Sequence, residues 1–406
     1  MTNRIFVVDD DVVSLKLSTA VLKQAGYDVL TAQRGSEALQ RIDQIRPDLL
    51  ILDLNMPDMT GYEVCQKLRS NPRYAHLPIL MLTGAKTLEE KVKGFEVGVD
   101  DYLVKPFQPV EFQVRVKSLI RRSVTTPIAA AAPKPVSKVV ALCSLRGGVG
   151  VSTLAIDLAL SLVQIWQLPA VLLDLALIGG QDAVMLNLPL RNSWGDLGRL
   201  DPAEIEIEQV QRAVLAHPSG LYVLAAPHLL EQGERVTAEH VSRVIALLKE
   251  RYHYLVLDLS HNIQKTTLVA LDAADQILIV MTPELASVYV TARTLAMFEG
   301  LGYSRDNIFL ILNSTFQHHA LARSDIEAAL KHPINLVVPF ASDLLINAIN
   351  TGVPVMAKSP EHPFGVLIED FAYSLSKDEH KLLQPPTPSP AWKRVTQRYQ
   401  QQRAKK

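Results

Sequence analysis

Four short segments of this 406-residue chain set ionisable or hydroxyl side chains directly after apolar runs. Asp9, Asp10 and Asp11 follow IFVV, Asp53 ends DLLILD, Thr83 ends ILMLT and Lys105 follows YLV. Carboxylates that converge repel one another unless a divalent cation lies among them, and oxygen ligands favour Mg2+. A metal-bound carboxylate can accept a phosphoryl group, because the cation and a nearby ammonium offset the charge that accumulates in transfer. Lys105 is placed to supply that ammonium, and Pro106 after it is expected to follow a cis bond.

A second stretch, LCSLRGGVGVSTLA at residues 142–155, approaches a phosphate-binding loop of the form G-x-x-x-x-G-K-[ST] and puts Val151 in the lysine slot before Ser152. Gly147, Gly148 and Gly150 lie between a strand-like run and a helical one. Backbone N–H groups there can close on phosphate oxygens, helped by the helix dipole. The expected cradle comprises Arg146, Gly147, Gly148, Val149, Gly150, Val151, Ser152 and Thr153. Losing one charge-assisted hydrogen bond of about 1.5–3 kcal/mol should weaken triphosphate binding roughly 10- to 150-fold. Any ATP bound here is expected to be bound weakly.

Positioning these groups takes two domains. Short runs at 4–8, 49–52, 79–82 and 102–104 alternate with stretches whose apolar residues recur at three and four, the mark of a parallel sheet with helices on both faces. The pattern restarts after residue 138 with runs at 139–144, 170–175, 222–225, 254–259, 276–281, 307–312 and 335–338. The fold class is therefore α/β, two doubly wound parallel sheets, with ligands expected at the carboxyl ends of the strands. Residues 1–122 form the first domain, the Pro/Ala-rich 123–137 a linker, 138–384 the second domain, and 385–406 a Pro-rich basic tail.

Composition narrows the setting. Hydrophobic residues make up 48% and charged residues 20% of the chain, which marks a globular protein. The apolar stretch 154–180 is broken by Asp157, Gln164, Gln167, Pro169 and Asp174, so it does not read as a membrane span. The first residues pass straight into a strand-like run without a signal-peptide layout, and Cys65 and Cys143 sit among apolar neighbours, so the expected setting is a reducing cytoplasm. Residues 123–384 carry 18 basic and 26 acidic side chains, whereas 385–406 carry six basic and none acidic. An acidic main body argues against a DNA-coating surface, so no specific nucleic acid is expected. In the tail, Trp392, Val395 and Tyr399 share one helical face among basic residues; the open readings are a solvated tail, a weak membrane-surface contact and docking onto the chain's own acidic domain.

VVDDD, LILDLNMPDMTG, LMLTGAK and DYLVKPF, in this order, closely resemble the receiver domains of two-component response regulators. The resemblance implies that Asp53 accepts phosphate from a sensor histidine kinase or phosphotransfer protein, with Asp9, Asp10, Asp53 and the Asn55 carbonyl holding Mg2+. It further implies that Thr83 contacts the phosphoryl group and that Tyr102 is the switch residue, turning inward when Thr83 moves.

SLRGGVGVST resembles the deviant Walker A of the MinD/ParA class of P-loop ATPases, which reads K-G-G-x-G-K-[ST]. AVLLDLALIGGQDAV, YHYLVLDLSHN and NIFLILNS match that class in order. By match, Ser152 is the metal-binding hydroxyl, Asp174 and Asp258 are switch carboxylates, and Asn313 lies where the base is read. The departures are Arg146 for the signature lysine, Val151 for the P-loop lysine, and Ala176 for the second aspartate of the first switch. They imply poor or absent hydrolysis.

Taken together, the chain resembles CpaE/TadZ-type pilus-assembly proteins. That implies a phosphorylation-controlled scaffold that positions pilus or secretion machinery, is a homodimer, and works at the cell pole or the inner face of the plasma membrane. Two other readings stay open: an active ATPase in which Arg146 replaces both lysines, and a DNA-associated partitioning or transcription regulator.

Overall fold

The computed structural model describes residues 3–71, 73–74, 77–84, 98–123 and 137–404. Residues 124–136 of the expected linker, Ala85 and Lys86 of LMLTGAK, and the tail residues Lys405 and Lys406 lie outside them. Packing divides the chain into two compact units, Met1–Ala130 with Leu188–Arg191, and Ala131–Asn187 with Asn192–Lys406.

In the first unit, β1 (Arg4–Val8), β2 (Asp28–Ala32), β3 (Leu49–Asp53), β4 (Ile79–Thr83) and β5 (Asp101–Val104) form one parallel sheet in the order β2-β1-β3-β4-β5. Because side chains alternate across a strand, each apolar run feeds two cores. Phe6, Val8, Leu50, Leu52, Ile79 and Met81 pack with the helices Gly35–Ile45 and Gly61–Arg69. Ile5, Val7, Leu49, Ile51, Leu80 and Leu82 pack with Val12–Gln24 and Pro109–Ser123. Strand β2 was not expected from the sequence: it lies at the sheet edge, and DVLTA is half-buried along most of its length.

In the second unit, eight strands run in the order β13-β12-β11-β6-β10-β7-β9-β8. They are β6 (Lys138–Cys143), β7 (Ala170–Leu175), β8 (Leu215–Ala216), β9 (Leu221–Leu224), β10 (Tyr254–Leu259), β11 (Gln276–Met281), β12 (Ile308–Asn313) and β13 (Ile334–Val338). All pairings are parallel except that of β8 with β9, an antiparallel edge the sequence reading lacked. The almost wholly apolar helix Val151–Trp166 follows β6, and most of its side chains are buried. Cys65 and Cys143 are buried free thiols.

The C-terminal segment is not a solvated tail. Pro390–Ala404 is a helix in which Ala391 and Val395 are buried, and Tyr399 meets Tyr373 with ring centroids 5.1 Å apart. Ser389 Oγ donates to the Ile165 carbonyl at 2.9 Å. Arg394 donates to Glu369, which is fully buried, at 2.6 Å, and Arg398 to Glu369 and Asp370 at 2.6 and 2.7 Å. The basic residues thus dock on the chain's own acids, and the apolar face that a membrane contact would use is turned against protein. Among the described residues no helix is long and apolar enough to cross a membrane.

Candidate functional site

In the first unit the expected residues meet at the carboxyl ends of β1, β3, β4 and β5. Asp9 follows β1, Asp53 ends β3, and Thr83, next to the register partner of Asp53, ends β4. Asp9, Asp53 and Thr83 are buried while Asp10 is exposed, and one oxygen each of Asp9, Asp10 and Asp53 lies within 4.8 Å of the others. Asp11 is not part of this group: its carboxylate caps the helix Val12–Gln24, accepting the Val13 and Ser14 N–H groups at 3.1 Å.

Lys105 follows β5 through a cis bond to Pro106 and bridges the two buried acids. Its ammonium donates to Asp9 Oδ2 at 2.7 Å and to Asp53 Oδ1. The Asn55 N–H donates to Asp53 Oδ2 at 2.9 Å, while its side chain is exposed. Burial raises the Asp53 carboxyl above its ordinary value, and the Asp9 charge adds to that; Lys105 and the Asn55 N–H offset it only in part. Burial opposes the Lys105 ammonium, yet its bonds to Asp53 and Asp9 outweigh this and raise its value. One ammonium is thus shared by two acids. Tyr102 is half-buried, packed against the core on the Phe6 face of the sheet. The oxygens of Asp9, Asp10 and Asp53 are the hard donors that Mg2+ takes.

In the second unit, the segment 144–150 leads from β6 into the helix Val151–Trp166. Gly148 and Gly150 adopt positive φ, 77° and 92°. A Cβ at Gly150 would stand 2.7 Å from the Asn313 amide nitrogen, so glycine is required there twice over. Val149 is buried, and Val151, Ser152 and Thr153 are half-buried on the first turn. No lysine stands in the loop, as the sequence states.

Two of the expected residues have partners within the chain. Asn313, expected to read a base, is buried and donates its amide to the Val149 carbonyl at 2.8 Å, so it braces the loop. Arg146, which stands in place of the signature lysine, pairs within its own chain with Glu284 at 2.7 Å. Glu284 also caps the helix Leu285–Gly300 by accepting the Ser287 N–H at 3.2 Å.

Asp174 on β7 and Asp258 on β10 are register partners on adjacent strands, so both project to the same side of the sheet. Asp174 accepts the Ala176 and Asp182 N–H groups at 3.1 and 3.2 Å. The structure adds Asp182, which the sequence reading missed. One oxygen each of Asp174, Asp182 and Asp258 lies within 4.8 Å of the others, and all three residues are buried. Burial raises the Asp174 carboxyl, and the Asp258 charge adds to it, against three backbone N–H groups. Burial and both neighbouring acids raise Asp182 well above the ordinary range. Burial raises Asp258 as well, opposed by hydrogen bonds from the Ser152 and Asp182 side chains.

Comparison with known proteins follows the same division. Residues 5–117 match the response regulator receiver domain family. Over 127 residues the chain is 43% identical to the DNA-binding dual master transcriptional regulator RpaA of Synechocystis, covering 31% of this chain and 53% of that protein. Over 123 residues it is 45% identical to the alkaline phosphatase synthesis transcriptional regulatory protein PhoP of Bacillus subtilis, covering 30% and 50%. The chain thus spans about half the length of these relatives. A ParA family ATPase from Chlorobium tepidum matches with a TM-score of 0.54 at 22% identity, over 58% of this chain and 99% of that one. The septum site-determining protein MinD complexed with Mg-ADP from Pyrococcus horikoshii matches with a TM-score of 0.54 at 17% identity, over 61% of this chain and 100% of that one. Residues 5–117 are therefore a response regulator receiver domain, fused to a second unit with the fold of the MinD and ParA ATPases.

Proposed function

We propose that this chain is a phosphorylation-controlled scaffold or localisation factor of a two-component pathway, whose second unit binds ATP weakly and hydrolyses it poorly or not at all. The observation that carries this reading is the contrast between the two pockets. The receiver holds every group that phosphoryl transfer needs: Asp53 as acceptor, Lys105 bonded to it, and Thr83 at the next strand end. The second unit keeps a glycine cradle and two strand-end acids but has Val151 and Ala176 where a catalytic loop and switch carry charge.

The Asp53 carboxylate attacks the phosphorus of a phosphohistidine on a histidine kinase or phosphotransfer protein, forming an acyl phosphate as the P–N bond breaks and the imidazole leaves, and Lys105 stabilises the charge on the transferred oxygens. Asp9, Asp10, Asp53 and the Asn55 carbonyl would hold Mg2+, which would supply further neutralisation at the phosphoryl group. The phosphate adds about −1.5 to −2 charge beside Thr83, and a shift of Thr83 and Tyr102 carries the change to the receiver surface. The order of receiver, linker and degenerate P-loop unit supports a CpaE/TadZ-type role, in which the recruited partners are pilus or secretion components and the working form is a homodimer at the pole or inner membrane face.

Phosphate release by the full chain at cellular ATP–Mg2+ levels tests the scaffold reading. The expected rate is indistinguishable from that of Asp258→Ala; steady release that Asp258→Ala abolishes would make the chain a working ATPase. Salt-sensitive retention on DNA would favour the regulator reading instead.

A further inference from the structure

The acids of the second unit form a cluster that the lost lysine does not explain. Asp174, Asp182 and Asp258 are 1%, 0% and 1% exposed, and one oxygen of each lies within 4.8 Å of the others. Among the described residues no lysine, arginine or histidine forms an ion pair with any of them. Asp174 is held by two backbone N–H groups. Both oxygens of Asp182 and Oδ2 of Asp258 are buried with no hydrogen-bond donor from outside the cluster.

The chain is shaped around this arrangement. A Cβ at Gly180 would fall 2.3 and 2.4 Å from the Asp174 oxygens, so only glycine lets the backbone pass the carboxylate this closely. Two residues later the Asp182 N–H is bonded back to Asp174. That bond sets the orphaned Asp182 oxygens against the strand-end pair. Uncompensated burial of charge costs several kcal/mol per ion, and a bound cation removes that cost.

We propose that Asp174, Asp182 and Asp258 bind a hard divalent cation directly, without nucleotide. By match to the MinD/ParA class Asp174 and Asp258 are switch carboxylates; Asp182 supplies the third carboxylate that lets protein alone hold the ion. The ion would then stand by Ser152, giving the loop a fixed positive charge that Val151 does not. The proposal holds whether or not the second unit splits ATP.

The test uses the full chain with the receiver site disabled by Asp10→Ala and Asp53→Asn, free of nucleotide, and reads free Mn2+ by its paramagnetic resonance signal. The expected result is about one Mn2+ bound per chain, displaced by excess Mg2+ and lost when Asp182→Asn is added. Asp182→Asn conserves shape, and circular dichroism checks its fold. In parallel, Mn2+ should raise the thermal midpoint of the receiver-disabled protein. Three results overturn the proposal: no binding without ATP, binding that survives Asp182→Asn unchanged, or a midpoint that Mn2+ leaves unmoved.

Discussion

Each unit gathers three aspartates at the carboxyl edge of a parallel sheet, and the two clusters differ in what balances them. In the receiver, Asp10 faces solvent and the Lys105 ammonium lies between Asp9 and Asp53. In the second unit all three acids are buried and the hydrogen bonds reaching Asp174 come from the backbone. The same strand-end geometry therefore yields a reactive carboxylate in one place and a set of acids pushed toward their protonated form in the other. Access to water and one ammonium make the difference, since a charge in a low-dielectric interior is far costlier than one at the surface.

The comparison can be broken most completely at Asp53. Asp53→Ala should abolish labelling by acetyl phosphate or phosphoramidate, read as loss of the shifted band on a phosphate-affinity gel. Lys105→Ala makes the receiver resemble the second cluster, and should slow the same labelling by roughly 10²–10³-fold while the fold persists.

A third buried acid sharpens the contrast, because Asp157 belongs to neither cluster. Its Oδ1 accepts the Met356 N–H at 3.0 Å, and burial pushes its carboxyl up to about 7 despite the Met356 and Val355 N–H groups. A carboxyl with a folded value above its unfolded one takes up protons on folding. Its contribution is complete below the unfolded value of 3.8 and is lost as pH rises to about 7. Asp157→Asn should remove about 4 kcal/mol of that decline, measured by urea unfolding at pH 4, 5.5 and 8.

Val151→Lys runs the comparison in reverse by giving the second unit an ammonium. Calorimetric titration of ATP–Mg2+ should show affinity rising roughly 10- to 150-fold. The smallest effect is expected at Arg394→Ala, because Arg398 still reaches Glu369; unfolding free energy should fall by about 1–2 kcal/mol.

The strand-end chemistry was legible because apolar runs stop at Asp9, Asp53 and Thr83 and carry Asp174 and Asp258 one residue before their strand ends, and parallel topology brings such ends together. Strand β2 was not legible, since DVLTA lies half-buried at an edge and lacks a continuous apolar run. Asp182 was missed because it follows Asp174 by eight residues, in a loop whose path the periodicity does not encode. GGQD was the available signal, with Gly180 allowing the turn back onto Asp174. Asn313 and Arg146 were placed by family match, but their hydrogen-bond partners, Val149 and Glu284, are distant in the chain. Long-range partners of this kind leave no mark in local spacing. The tail helix shows the same limit: its face was visible, but not that Glu369 would be what its arginines meet.

That docked helix governs how the molecule can be dissected. It lies along Val151–Trp166, the helix that begins at the glycine loop, and Ser389 holds the carbonyl of Ile165 near the far end of that helix. Cutting the chain at residue 384 would strip the lid from the loop's own support and leave Glu369 without its arginines. Truncation there would read as a defect in nucleotide handling when the injury is mechanical, so fragments meant to isolate the second unit should run through residue 404.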